Sequence, residues 1–304
     1  MEKFTRWRDA GTGIAPFHPI YAEKPSITSL KWLVILLLAL IRIPLCIIFG
    51  LLYLVIWSAF LKNLLSFQPS ISGFLERSFS RILLFSLGCF RLSYTLVGTF
   101  VQGDSLQAGD IVAVNHTSPV DILSVSSLFD CVFVQANCKS SNVLPVSSIT
   151  AFFSCFSRLN LMLSPPKRDL RPLSEICKDA TKNGKVVILF PEGSTTNGRG
   201  LCKLTKCLES AGSTDRIFCL YIRYLPAAIT LSIPSVLTFI SSILLTTSFE
   251  TRARMSAEPE IPKNCNNVTD DVLDKLCKLG RTRATNLDLV EKQIYLEAKS
   301  TKYD

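Results

Sequence analysis

The sequence is poor in charge and has no two cysteines at the C-x-x-C spacing of a metal or redox site. Only 19% of its 304 residues are charged. Because 48% are hydrophobic and the mean hydropathy is +0.33, the composition excludes a disordered chain and predicts contact with a membrane. The eleven scattered cysteines indicate neither a disulfide framework nor a zinc site and are typical of buried thiols in a reducing compartment. We therefore expect no metal and no bound cofactor.

The excess of positive charge is modest and unevenly distributed. The formal net charge is +9, and residues 131–216 hold twelve basic and six acidic side chains. Such an excess favours an anionic partner, which includes nucleic acid, a lipid surface and a phosphorylated substrate. Composition alone leaves these three open.

A long apolar stretch, residues 30–61, is interrupted only at Lys31, Arg42 and Pro44. Residues 43–61 carry no charge, and at ~1.5 Å per residue they would form a helix of roughly 29 Å, which is enough to cross a bilayer core. Alternatively, the Arg-Ile-Pro break divides the stretch into a hairpin that enters one leaflet. A single membrane-embedded helix and a helical hairpin therefore both fit, and we favour the hairpin.

The remaining chain divides by composition. Residues 82–100 form a weaker apolar segment that we expect to be interfacial or packed against the domain, not membrane-spanning. Helix starts are expected at Thr269 and, with capping-box spacing, at Thr285. The predicted units are a polar N-terminal segment (1–29), a membrane anchor with interfacial helices (30–100), an α/β domain (101–260) and a C-terminal helical segment (261–304).

Short apolar runs after residue 103 alternate with longer polar, helix-like stretches. This pattern predicts an α/β fold with buried strands joined by crossover helices. The predicted buried strands are 111–114, 132–134, 186–190 and 217–222. Residues 249–255 alternate between apolar and polar side chains, which predicts a half-exposed strand at the edge of the sheet.

The first candidate motif, residues 115–121 (Asn-His-Thr-Ser-Pro-Val-Asp), directly follows a predicted strand. Its Ser-Pro step is a strong helix start, which places Asp121 in the first helical turn and His116 in the loop before it. The two side chains can then meet, and a histidine held by a carboxylate is a general base with a fixed tautomer. The other histidine, His18, lies in a proline-rich polar segment and is expected at the surface.

The second candidate motif, residues 190–198, follows another predicted strand and reads Phe-Pro-Glu-Gly-Ser-Thr-Thr-Asn-Gly. A turn that contains Gly193, Ser194 and Thr195 exposes backbone N–H groups that can bind an oxyanion or a phosphate. Glu192 is either an acceptor for a substrate hydroxyl or a cap for the next helix.

Together the two motifs resemble those of the PlsC-type glycerolipid acyltransferases, the 1-acylglycerol-3-phosphate acyltransferase family. The first block of that family is N-H-x-x-x-x-D and its third is F-P-E-G, and the resemblance covers about residues 95–260. It implies a glycerol-3-phosphate acyltransferase-like mixed sheet flanked by helices. It also implies that His116 and Asp121 are catalytic and that Glu192 and Gly193 help to bind the glycerol backbone.

Two other blocks of the family match less closely. The second block corresponds loosely to residues 159–168, and the resemblance assigns its arginine role to Arg168 or to Arg158. Residues 225–229 are similar to the proline-containing fourth block. Thr196 stands where bacterial members have an arginine, which resembles the eukaryotic lysophospholipid branch and leaves the head group open. The first 17 residues further resemble a fungal branch that uses oleoyl-CoA and also bears a vacuolar-sorting name.

The resemblance implies an acyl-CoA-dependent lysophospholipid acyltransferase, with lysophosphatidic acid as the expected acceptor. Its partners would be membrane lipids, acyl-CoA as co-substrate and a lysophospholipid, with no nucleic acid. We expect an endoplasmic reticulum or lipid droplet membrane and an active site that faces the cytosol, because a glycan at the Asn115 sequon would block His116. One alternative is a catalytically weak protein of the same fold that acts in trafficking. Another is a thiol hydrolase that pairs a cysteine such as Cys155 with His116, although no local nucleophile signature supports it.

Overall fold

The computed structural model describes residues 6–22, 30–53, 69–99, 105–137, 139–157, 169–262 and 267–300. Within these ranges the helices are α1 (Leu30–Leu51), α2 (Pro69–Leu87), α3 (Val120–Leu128), α4 (Ser148–Ser154), α5 (Leu173–Lys182), α6 (Val236–Leu245), α7 (Val268–Gly280) and α8 (Leu289–Ser300). The strands are β1 (Cys89–Val97), β2 (Ile111–Val114), β3 (Cys131–Gln135), β4 (Leu144–Val146), β5 (Val186–Leu189), β6 (Gly200–Leu201), β7 (Ile217–Leu225), β8 (Phe249–Ser256) and β9 (Arg283–Ala284).

Seven strands form one mixed sheet in the order β1-β8-β7-β2-β5-β3-β4. The four central strands β7, β2, β5 and β3 are parallel, whereas β8 and β4 run antiparallel to β7 and β3. Every residue of β2 and β5 is buried, as expected for apolar strands that are covered on both faces. The α/β fold and the four predicted buried strands are confirmed.

Helices cover both faces of this sheet and create two cores. One core packs α2, α3, α4 and α6 against side chains such as Val112 and Ile188. The other packs α5 and α7 against alternate residues of the same strands, such as Ala113 and Leu189. Since the side chains of successive strand residues point to opposite faces of the sheet, alternate residues of one strand belong to different cores. A small third core joins the N-terminal segment to α8 and includes Trp7, Phe17, Cys202, Leu287 and Tyr295.

Two expectations about the rim of the sheet are wrong. Residues 89–97 are not an interfacial helix, because they form β1, which pairs in parallel with β8 and lies at the edge. The 82–100 segment contains the end of α2 and the whole of β1. Because helical and strand periodicities are mixed in it, the sequence pattern indicated neither element. Consequently β8, predicted at the edge, lies inside the sheet between β1 and β7. Its alternating pattern reflects one buried and one more open face.

The expected hairpin break at Arg42 and Pro44 is also wrong, because α1 continues through Pro44 to Leu51. Proline removes a single helical N–H donor. The charge of Arg42 is directed into the domain, where its guanidinium donates hydrogen bonds to the carbonyl oxygens of Thr246 (2.7 Å) and Thr247. The rest of the apolar stretch, residues 54–61, lies outside the described residues.

Gly88 lies directly against the guanidinium of Arg42. It has φ +101°, and a Cβ atom there would lie 2.6 Å from an Arg42 guanidinium nitrogen. Both the left-handed backbone and the close approach therefore require glycine at the turn between α2 and β1.

The C-terminal helices meet one expectation and contradict another. Helix α7 begins within one residue of Thr269, as predicted. The predicted start at Thr285 is wrong, because the backbone N–H and the hydroxyl of Thr285 both donate to the Leu201 carbonyl beside β6 and β9. Asp288 caps α8 instead, since its carboxylate accepts from the N–H of Glu291 at 2.9 Å.

Candidate active site

The two motif loops meet at the carboxyl end of the sheet. The first follows β2 and the second follows β5, and these strands are parallel neighbours. Ligands of open α/β sheets bind at this end of the strands, where such loops emerge. The two loops are in contact there, because the N–H of His116 donates to Glu192 and the N–H of Thr196 donates to the His116 carbonyl.

His116 and Asp121 contact each other at the start of α3. The Nδ1 atom of His116 lies 3.0 Å from an Asp121 carboxylate oxygen, and both side chains are buried. Pro119 already has helical dihedrals, and the Ser118 hydroxyl accepts a hydrogen bond from the N–H of Val120. The Ser-Pro helix start thus brings together two residues that are five positions apart.

Four further groups donate to the Asp121 carboxylate. They are the backbone N–H groups of Thr117 (2.6 Å) and Ser118 (2.9 Å), the hydroxyl of Tyr224 on β7 (2.5 Å) and, more weakly, the hydroxyl of Thr117 (3.5 Å). A carboxylate with this many donors has one fixed orientation. Asp121 can therefore hold the imidazole of His116 in one tautomer and leave Nε2 free of the proton.

The backbone of the His116 loop is held on both sides. The Asn115 side chain exchanges two hydrogen bonds with the backbone of Ile222 on β7. The carbonyl of Thr117 accepts from the N–H of Leu231, beyond the fourth-block segment. Because Asn115 is fully buried in these contacts, its sequon is inaccessible in the folded protein.

Glu192 lies behind the histidine rather than in the open part of the site. Its two carboxylate oxygens accept from the backbone N–H groups of His116 (3.0 Å) and Cys202 (3.2 Å), and only 2% of the residue is exposed. Burial raises the pKa of Glu192 to about 7. These contacts hold the His116 loop, and the glycerol-binding role that the resemblance implies for Glu192 stays a prediction.

Lys292 on α8 is a site residue that the sequence analysis missed. It is 1% exposed, and its ammonium donates to the Ser194 hydroxyl (2.5 Å) and to the Thr195 carbonyl. Desolvation lowers the pKa of Lys292 to about 8. No local motif marks this lysine, because it lies in an ordinary amphipathic helix about a hundred residues from the loop that it contacts.

Two buried backbone donors of the same loop are open. Among the described residues, no acceptor contacts the N–H groups of Ser194 and Thr195, although both residues are buried. Gly193 before them has φ +71°, and a Cβ atom there would lie 3.1 Å from Leu289 of α8. The N–H groups of Ser194 and Thr195 therefore remain the candidates for anion binding in this turn.

Cys155 approaches the reactive nitrogen of the histidine. Its Sγ lies 3.4 Å from Nε2 of His116, so the structure brings together the two residues that the thiol-hydrolase alternative pairs. Burial raises the pKa of the Cys155 thiol far above its ordinary value, and the Asp121 charge adds to this effect. A thiolate nucleophile is therefore disfavoured at this position.

Apolar cavities flank the histidine on the α4 side. A small one of about 20 Å³ lies against His116, Phe190 and Ile122, and the Phe190 ring stacks on the imidazole at 4.3 Å. A larger one of about 220 Å³ also touches Ile122 and extends to α1 at Cys46 and Gly50. The histidine thus borders an apolar region that leads toward the N-terminal helix.

A basic cavity of about 440 Å³ lies on the other side of the His116 loop, beside Thr117. Three exposed arginines line it, Arg199, Arg223 and Arg281, and no acidic side chain is among its described lining residues. Arg281 has φ +50°, which is uncommon for a residue other than glycine. The cavity is therefore positively charged and suited to attract an anionic group.

The structure leaves some predictions untested. Arg168 and Arg158, the candidates for the second-block arginine, lie outside the described residues. His18 is exposed, as expected. No group of three or more histidine, cysteine or acidic side chains suited to a metal ion occurs in the described part of the chain.

Comparison with known proteins identifies the family. Residues 99–213 match the family model described as Acyltransferase. A Schizosaccharomyces pombe protein named "Putative lysophosphatidic acid:oleoyl-CoA acyltransferase" is 53% identical over 306 residues, which span 100% of both chains. The crystal structure of the 1-acyl-sn-glycerophosphate acyltransferase PlsC from Thermotoga maritima matches with a TM-score of 0.51 at 16% identity, covering 83% of this chain and 97% of that one. The chain therefore belongs to the acyltransferase family and has the fold of PlsC.

Proposed function

We propose that the protein transfers an acyl group from acyl-CoA to the free hydroxyl of lysophosphatidic acid, which yields phosphatidic acid and CoA. The observation that supports this most is the buried His116–Asp121 pair at 3.0 Å, next to two open backbone amides. The name of the Schizosaccharomyces pombe relative contains the same substrate pair.

In the proposed reaction His116 is the general base. Its Nε2 takes the proton of the acceptor hydroxyl while the oxygen attacks the thioester carbonyl, and Asp121 stabilises the imidazolium that forms. The C–S bond then breaks, and the CoA thiolate leaves with the proton from His116. A thiol pKa near ~8.5 makes this leaving group a good one. No acyl-enzyme is formed.

The amides of Ser194 and Thr195 are the proposed oxyanion donors. Backbone N–H groups that are fixed before the reaction stabilise the charge of a tetrahedral intermediate without reorganisation. The apolar cavity that runs from Ile122 to α1 is the proposed location of the acyl chain, because it shares Ile122 with the small cavity beside His116 and is lined mainly by apolar side chains.

The basic cavity is the proposed phosphate subsite. Lysophosphatidic acid carries a phosphate monoester, and arginine is the side chain that best matches its geometry. Arg223 also donates to the Gly280 carbonyl at 3.1 Å, which fixes its guanidinium at the rim. The cavity lies next to Thr117, one residue from the proposed base.

Neutralising this cavity should weaken acceptor binding. Because one charge-assisted hydrogen bond contributes about 1.5–3 kcal/mol, we expect Arg223→Gln and Arg281→Gln each to raise KM for lysophosphatidic acid by roughly tenfold or more with little change in kcat. KM for lysophosphatidylcholine, whose phosphate is a diester, should rise by a smaller factor. Steady-state kinetics with oleoyl-CoA and both acceptors measure this.

The matched control is Arg171→Gln, which removes a partly exposed arginine that pairs with Glu175 and Asp179 on α5 and does not line the cavity. Its KM values should equal those of the wild type. Unchanged KM for lysophosphatidic acid in both cavity variants would contradict the subsite. An increase in KM confined to oleoyl-CoA would assign the cavity to the phosphates of the donor instead.

We also propose that α1 attaches the domain to the endoplasmic reticulum or to a lipid droplet, with the active site toward the cytosol. Residues Trp32–Leu51 are long and apolar enough to cross a membrane, with a mean hydropathy of 2.8. Their inner face packs on α2 and α6, and the side chains on the other face are exposed. Protease access to a C-terminal tag in sealed microsomes tests the orientation, and protection of that tag would contradict it.

A further inference from the structure

Helix α8 lies outside the family-matched segment 99–213, yet it reaches the active site through one buried charge. Lys292 is 1% exposed. Since burial of an ammonium is costly unless hydrogen bonds or charges compensate, such a lysine is uncommon in a protein interior. Its partners therefore indicate what it does.

Those partners are the two residues at the centre of the second motif loop. The ammonium donates to the Ser194 hydroxyl at 2.5 Å and to the carbonyl of Thr195. The same two residues carry the open backbone N–H groups. Because a peptide group is planar, fixing the Thr195 carbonyl also fixes the orientation of the peptide that follows.

That next peptide holds the histidine. The N–H of Thr196 donates to the His116 carbonyl at 2.9 Å, and Glu192 accepts from the His116 N–H at 3.0 Å. Glu192 and Thr196 of this loop thus hydrogen-bond to the N–H and the carbonyl of His116. Lys292 donates to Ser194 and Thr195, which lie between them in the sequence. A continuous path of hydrogen bonds connects α8 to the proposed base.

We propose that Lys292 is a positioning residue: it fixes the Ser194–Thr195 turn and, through Glu192 and Thr196, the backbone of His116. This inference rests on the proposed function of His116. The burial of Lys292 argues against direct contact with a substrate phosphate. The C-terminal helix is then an integral part of the active site.

The test replaces the lysine by an apolar side chain of similar length. In the full-length protein, Lys292→Met should lower kcat by roughly 10- to 100-fold, as misplacement of a reacting group by about 1 Å does. KM for oleoyl-CoA and for lysophosphatidic acid should stay within about threefold. Lys299→Met, the same substitution further along α8, is the matched control and should keep the wild-type kcat.

A second variant removes the same hydrogen bond from the other side with less risk to folding. Ser194→Ala should lower kcat by a smaller factor, and in the Lys292→Met background it should add little, because the shared bond is already lost. Fully multiplicative effects of the two substitutions on kcat would overturn the proposal. So would an increase in KM for lysophosphatidic acid at unchanged kcat, which would make Lys292 a binding residue.

Hydrogen exchange separates this proposal from the proposed function. Loss of the Lys292 contacts should speed exchange of the Thr196 amide relative to amides in β5, whether or not the protein acylates lysophosphatidic acid. Equal protection of Thr196 in wild type and in Ser194→Ala and Lys292→Met would overturn the positioning role even if the wild type is a fully active enzyme.

Discussion

Replacement of His116 by alanine should lower kcat for acyl transfer by at least ~10²-fold, the usual loss when a general base is removed. Its imidazole is held by Asp121, and the residue lines the small cavity that also borders Phe190. KM for both substrates should change little, because the base acts in the transition state. Steady-state kinetics on purified protein measure both constants.

The natural control is His18→Ala, since the sequence contains two histidines and His18 is exposed. That variant should keep kcat. Wild-type turnover in His116→Ala would remove the general-base assignment. A hydroxylamine-sensitive acyl adduct on Cys155 that forms and decays at the turnover rate would replace direct transfer by a covalent route.

Substitution of Asp121 by asparagine should lower kcat by a similar factor, at least ~10²-fold. The amide lacks the negative charge that stabilises the imidazolium. Its NH₂ group would also face hydrogen-bond donors, including the hydroxyl of Tyr224 and the N–H of Thr117. Each buried donor left without an acceptor costs about 1–3 kcal/mol, so the variant should unfold at lower temperature as well.

A milder variant separates charge from geometry. Tyr224→Phe removes one donor to Asp121 and leaves the carboxylate charged, so its kcat should fall by less than tenfold. The comparison of kcat and thermal unfolding for both variants measures the contribution of each. An Asp121→Asn enzyme with near wild-type kcat would show that the carboxylate is not needed for transfer.

The central site was predictable because its information is local. Apolar runs of four residues predicted β2 and β5, and polar motifs that directly follow parallel neighbours must meet at one end of the sheet. The Ser-Pro helix start sufficed to bring Asp121 back to His116. Each motif is local, since the first spans seven residues and the second nine, whereas the pairing of β2 with β5 is a long-range contact.

The residues that hold the second motif loop in place come from distant parts of the chain. They were not predictable from the sequence. Lys292 and the N-terminal residues contact the second motif loop in the tertiary structure but lie far from it in the sequence. For example, the Asn197 side chain donates to the carbonyls of Ala15 and His18, at 2.8 Å each. A lysine in an amphipathic helix normally faces solvent, so its pattern predicts exposure. Only the third core, which docks α8 on the loop, reverses that expectation.

The predicted break in the N-terminal apolar stretch was wrong for a related reason. Arg42 within an apolar stretch indicated a break, because a charge in lipid is costly. In the folded chain the guanidinium is satisfied by carbonyls at the end of α6, 204 and 205 residues away. The cost of the charge is thereby removed, and α1 continues as one helix.

Mass spectrometry of the products that the purified full-length protein forms from lysophosphatidic acid and oleoyl-CoA tests the proposed acyl transfer most directly. We expect phosphatidic acid with one added oleoyl chain, formed in equal amount to free CoA, and loss of both in His116→Ala. Free CoA without phosphatidic acid would indicate thioester hydrolysis. Release of neither product by a folded, membrane-bound protein would contradict the proposed acyl transfer and favour a non-catalytic role at the lipid surface.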